Sequence, residues 1–146
     1  MEAISLLLSL INYFRDDREQ ERQINRSKFL AEIEINDLVN EIQLIIYEIL
    51  SENGEIDLEL SDGYPNEYDL AFKIANTLYD KGLSIVKQEY FTDLDDKLQT
   101  NLYQMVKQAQ QDKMYLNTEA FENNDIEYEM DIINGAVDLT NNLRNR

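Results

Sequence analysis

Cysteine and histidine are both missing from the 146 residues. Without cysteine there is no disulfide framework, and the chain suits a reducing, cytoplasmic setting. Without histidine there is no imidazole to ligate metal, act as a general base or switch charge near neutrality. Together the two absences exclude Cys–His and Ser–His–Asp nucleophile systems and almost every zinc site. Proline occurs once and glycine four times, which favours long helices over a turn-rich β architecture. Positive charge is scarce as well: 13 Lys and Arg face 30 Asp and Glu, for a formal net charge of −17. Such a chain repels nucleic acid and anionic lipid and attracts a basic partner protein. The plainer consequence of the same charge is solubility.

What the chain does contain is helical periodicity. Between Phe29 and Leu50, Ile35, Leu38, Ile42, Ile45 and Ile49 recur at alternating steps of three and four, which places them on one side of a helix. Val39, Leu44, Ile46 and Leu50 widen that stripe, as expected of a helix packed between neighbours. Ser27 is a candidate N-cap for it. The short alternation Glu32-Ile33-Glu34-Ile35 reads as strand locally, but the longer period overrides it. A second helical stretch, Glu67 to Phe91, carries Ala71, Ile74, Leu78, Ile85 and Val86, with Gly82 either ending it or weakening it. Thr92 and Asp95 resemble a capping box for a helix bearing Leu94, Leu98, Leu102, Met105, Val106 and Ala109. After a short link near Asn117, a last helix is expected with Ile126, Met130, Ile133 and Val137 inward. The reading is all-α: one domain, residues 1–146, folded as a bundle of four or five mostly antiparallel helices. One acidic loop or short extended segment interrupts it around residues 51–66.

The start of the chain is the ambiguous part. Ile4, Leu7, Leu8, Ile11 and Phe14 share one helical face, followed by Arg15, Arg18, Arg22 and Arg26 at helical steps. That face suits the bundle core, a homo-oligomer interface, or a membrane-surface helix, with residues 1–28 protruding in the latter cases. Acids interleaved with the arginines weaken the lipid option. The apolar run is too short for the roughly 20 residues that span a bilayer, and no basic leader or cleavage pattern marks a secretory signal.

Known chemistries find little support. Aligning Gly54 with the sixth position of an EF-hand loop puts Ile49 and Leu60 where calcium needs oxygen ligands. Acidic pairs three apart, Glu34/Asp37, Glu52/Glu55, Glu119/Glu122 and Glu122/Asp125, resemble the magnesium-holding pairs of helical phosphohydrolases but recur in no ordered arrangement. Asp95-Asp96-Lys97 lacks a strand context, and there is no glycine-rich phosphate loop. Lysines are scattered without interleaved aromatics, against direct nucleic-acid binding. No catalytic residue, metal ligand or cofactor is expected.

Charge distribution is more informative. Phe29 to Phe72 and Met114 to Leu143 contain no Lys or Arg, and both are rich in acids. If they converge, they form a face that steers a basic partner. The expected contacts are Glu52, Glu55, Asp57, Glu59, Asp62 and Glu67, with Tyr64 and Tyr68 exposed beside them or packed on the bundle. The expected function is non-enzymatic: an inhibitor that occupies a basic, often nucleic-acid-binding, surface, as phage anti-defence, immunity and antitoxin proteins do. The alternatives are a self-associating or membrane-peripheral helical protein using Ile4, Leu7, Leu8, Ile11 and Phe14, and a Mg²⁺-dependent all-α phosphohydrolase.

Overall fold

Wide apolar stripes on long helices need partners on several sides, and the chain supplies them from within. A computed structural model describes residues 3–20, 26–47, 67–120 and 125–144. Among these, five α-helices share one core: α1 (Ala3–Gln20), α2 (Arg26–Tyr47), α3 (Glu67–Val86), α4 (Asp96–Tyr115) and α5 (Ile126–Arg144). Helix α3 packs against α2, α4 and α5, and α1 closes the bundle against α4, α2 and α5. No strand occurs among the described residues. The expected loop at residues 51–66 lies outside them, as do Ile49 and Leu50.

The α2 stripe is buried at Ile35, Leu38, Val39, Ile42, Ile45 and Ile46, but Leu44, expected to widen it, lies on the opposite face of the helix and is 61% exposed. The strand-like alternation at Glu32–Ile35 is helical, since one helix face buries Ile35 and Leu38 together. Ser27 is not the cap, because α2 has already begun at Arg26. On α1, Ile4, Leu7 and Phe14 are buried in this chain's own core, together with Ala3, Leu6 and Leu10. Leu8 and Ile11 are half-buried against it. Among the described residues no helix is long and apolar enough to cross a membrane.

Helix starts differ from the sequence reading where polar side chains compete for the cap. The cap of α4 is Asp95 itself, whose Oδ1 accepts from the Leu98 N–H at 2.9 Å. Thr92 falls instead in a 3₁₀ turn, Glu89–Asp93, which carries buried Phe91 and precedes buried Leu94. The same Asp95 ties three helices together. Its Oδ2 accepts from the Tyr13 hydroxyl of α1, and Lys28 of α2 stands 3.6 Å away. Lys28 and Lys97 lie 5.8 and 5.4 Å from the Tyr13 ring centroid. Burial pushes the Asp95 carboxyl up, but Tyr13, the Leu98 N–H and Lys28 outweigh it and leave it below the usual range.

Both described glycines sit inside helices. Gly82 marks a close crossing of α3 on α4, where a Cβ would stand 2.8 Å from Val106 Cγ2. Gly135 faces Ile4 of α1, and a Cβ there would meet its nearest atom at 3.5 Å, an ordinary contact. Gly135→Ala therefore gains helix propensity at no steric cost. It should raise the free energy of unfolding by about 0.5–1 kcal/mol in urea titration.

The inward stripe of α5 is rotated from the expected one. Ile133 is buried and Met130 and Val137 are half-buried, but Ile126 is 47% exposed. The buried line runs Glu129, Ile133, Ala136, Leu139 and Thr140. The Thr140 hydroxyl donates to the Ala136 carbonyl at 2.9 Å, so its burial is satisfied locally. Glu129 has no such bond, and its position inside the fold leads to the site below.

Candidate functional site

A network of polar side chains lies where α4 ends and α5 begins. Helix α4 runs through Tyr115 into a π-helical turn, Leu116–Ala120, where the sequence suggested only a short link. Across from it, Asp125 caps α5, its Oδ1 accepting from the Tyr128 N–H at 3.1 Å. The Tyr115 hydroxyl donates to Asp125 Oδ2 at 2.5 Å, and the Tyr115 and Tyr128 rings pack with centroids 4.2 Å apart. These two bonds hold the Asp125 carboxyl below its usual range. One turn inward, the Tyr128 hydroxyl and Gln108 Nε2, the latter at 3.2 Å, both donate to Asp112 Oδ1. Asp112 is only 8% exposed. Burial raises its pKa, and the bonds from Tyr128 and Gln108 only partly offset that rise.

Asp112 and Tyr128 line a cavity of about 100 Å³ together with Gln108, Asp131 and the apolar side chains of Ala3, Ile4, Leu78 and Ile132. Asp131 and Ile4 also line an open groove of about 440 Å³ between α1 and α5. Asp138, Asn134, Asn142 and Ser5 supply the groove's remaining polar groups. Glu127, Asp131 and Asp138 are exposed and follow one another at steps of four and seven, one strip along α5. Among the described residues neither Lys nor Arg lines the cavity or the groove.

The two acidic stretches meet at this end of the bundle. Glu129 of α5 is 5% exposed. Its pKa is raised first by burial and then by the negative charges of Glu67, at the start of α3, and Asp125. Because the folded-state pKa lies above the unfolded one, the folded state holds this proton more tightly. The group's contribution is full below the unfolded pKa and is lost as pH rises through the folded value. Glu129→Gln should therefore stabilise the protein at pH 7. The gain should shrink as pH falls toward the ordinary carboxyl value of 4.5, in denaturation curves recorded across that range.

Of the contacts expected from sequence, Glu52, Glu55, Asp57, Glu59, Asp62 and Tyr64 lie outside the described residues. Glu67 and Tyr68 open α3 and are half-buried. Tyr68 is packed, not exposed: its ring stacks on Phe72 with centroids 6.2 Å apart, and its hydroxyl donates to Asn117 Oδ1 at 3.2 Å. Arg15 and Arg26 of the basic stripe are exposed. Of the acidic pairs weighed for magnesium, Glu52/Glu55, Glu119/Glu122 and Glu122/Asp125 include side chains outside the described ones; among the described residues no group of three His, Cys, Asp or Glu could hold a metal ion. Elsewhere, the Tyr90 hydroxyl is buried without a hydrogen-bond partner, and burial with nearby Glu34 pushes its pKa up to about 12.

Sequence reading did not single out Asp112, Tyr128 or the cavity. The spacing of Glu127, Asp131 and Asp138 was the available signal, since the core positions Ile133, Ala136 and Leu139 leave that strip outward. Comparison with known proteins finds no matching family model, no matching curated protein and no matching solved structure.

Proposed function

We propose that this protein is a non-catalytic binding module of the cytoplasm that presents an acidic face to a basic partner protein. In its most concrete form it is an inhibitor that covers a nucleic-acid-binding surface, as anti-defence, immunity and antitoxin proteins do. The observation that supports this reading is the grouping of Glu67, from the first acidic stretch, with Asp125 and Glu129 of the second. The exposed strip Glu127, Asp131 and Asp138 continues from there. Like charges held together in a fold lower its stability, and an exposed acidic strip beside them suits an attraction to something positive. The face would speed encounter and select against acidic competitors more than it would add raw affinity.

Affinity capture from host lysate at low salt tests the reading, comparing wild type with the combined variant Glu127→Gln, Asp131→Asn, Asp138→Asn. A basic protein should be retained by wild type, released by salt, displaced by nucleic acid and largely lost with the variant. Equal recovery on the variant would remove this face from the account.

One further observation supports self-association as a second reading. Phe29, Ile33, Leu44 and Tyr47 are exposed on α2 at helical spacing, whereas Ile4, Leu7 and Phe14 of the N-terminal face are buried within the chain. Sedimentation of wild type against Ile33→Glu, Leu44→Glu separates the two: a dimer lost in that variant favours the second reading.

A further inference from the structure

We propose that the cavity lined by α1, α3, α4 and α5 receives the side-chain ammonium of a lysine, an inference that rests on the acidic-face reading of this same end of the bundle. Asp112 presents an acceptor to this space. Both hydrogen bonds to its carboxylate, from Tyr128 and Gln108, end on Oδ1. Oδ2 accepts none from any described residue. It is also not sealed in protein, because Tyr90 Oη is the one fully buried side-chain polar atom left without a partner among the described residues. A carboxylate on a residue 8% exposed thus keeps one oxygen open, and the residue lines the cavity. Burying a carboxylate without a counter-charge is costly, and the natural counter-charge is a cation entering that space.

The shape and chemistry of the walls point to the same occupant. Ala3, Ile4, Leu78 and Ile132 are aliphatic, and Asp131 adds a second carboxylate. Among the described residues no wall residue is cationic. A group with an apolar stem and a compact positive tip matches both features. The cavity holds about 100 Å³. Since roughly 150 Å³ admits a benzene ring, an unbranched chain end fits better here. A planar guanidinium is suited to two carboxylate oxygens presented side by side, whereas one open oxygen suits an ammonium point charge. The adjoining groove with Asp138 and Asn134 would take the backbone and neighbouring residues of the segment that carries the lysine.

The test is an NMR titration of isotopically labelled protein with n-butylammonium, n-butanol, Nα-acetyl-lysine-N-methylamide and the same compound acetylated on Nζ. The expected result is saturable shifts at the Ile4, Asp112 and Tyr128 amides with the two ammonium compounds. Their dissociation constants should lie on the order of millimolar, and the two neutral compounds should bind roughly tenfold or more weakly. Asp112→Asn, which keeps the shape and removes the charge, should weaken ammonium binding by about tenfold or more while leaving the protein folded and at least as stable. Ala3→Leu, which fills the cavity without touching Asp112, should abolish binding too. Equal binding of butanol, unchanged binding in Asp112→Asn, or no saturable shift would overturn the pocket. Binding of butylammonium but not of the lysine compound would overturn lysine as its occupant. The titration contains no partner, so its failure leaves the acidic face standing. A failed capture with a positive titration removes the face and the lysine source but not the ammonium pocket.

Discussion

Replacing Leu10 by alanine should lower the free energy of unfolding by about 3 kcal/mol, the usual cost of emptying a well-packed leucine site. Leu10 is fully buried. It belongs to a helix that packs against α4, α2 and α5, so the void cannot close by moving one neighbour. Leu8→Ala and Ile11→Ala, at half-buried positions of the same helix, should cost distinctly less. Urea denaturation followed by circular dichroism measures all three. The contrast matters because a protruding or membrane-seeking first helix would behave the other way. Truncating its apolar face would leave the melting transition in place and change only oligomer or vesicle binding. A cost for Leu10→Ala below about 1 kcal/mol would contradict the placement of α1 in the core.

Gly82→Ala should destabilise, against the direction that helix propensity alone predicts. Propensity favours the alanine by about 1 kcal/mol in a helix interior. The opposing effect is contact: the new Cβ would sit 2.8 Å from Val106 Cγ2 and 3.1 Å from Met105 Cε. The methionine end can swing aside, but the valine methyl is fixed by its branched Cβ. Overpacking of that kind costs typically 1–3 kcal/mol, so a net loss of up to about 2 kcal/mol is expected. Val106→Ala removes the obstructing methyl. The double variant should recover most of the loss, giving a coupling of about 1 kcal/mol or more in a double-mutant cycle. If Gly82→Ala is stabilising by itself, α3 and α4 do not cross as closely as described. The same substitution at Gly135, where the space is open, is the internal control.

The bundle was legible in the sequence because the apolar spacing and the burial coincide along most of α2, α3 and α4, while on α1 the buried line shifts to include Leu6 and Leu10. The residues that establish the α2 period, Ile35, Leu38 and Ile42, are fully buried. The exceptions share a cause: contacts distant in sequence override local pattern. Asp95 takes the cap because Tyr13 and Lys28, from two other helices, hold it there. Gly82 reads as a helix end or a weak point within a long helix; it lies inside α3 and marks a crossing visible only once α4 is placed. In α5, Ile126, Met130, Ile133 and Val137 define a good stripe, yet packing against α2, α3 and α1 selects one that includes Glu129 and Thr140.

The candidate site was less legible for the same reason. Asp112 is one acid among 30 acidic residues, and its burial and its bonds to Tyr128 and Gln108 depend on how α4 meets α5. The general statement, that two stretches without Lys or Arg could share a face, was readable. Which of their carboxylates come together was not.

Charge recognition is the central claim, and the association rate of the captured basic partner, measured by stopped flow across ionic strength, tests it most directly. The account predicts a rate that falls steeply with added salt for wild type. For the variant Glu127→Gln, Asp131→Asn, Asp138→Asn it predicts a rate lower by roughly tenfold at low salt, with a shallower salt dependence and dissociation changed much less. Identical rates and salt slopes for the two proteins would contradict it.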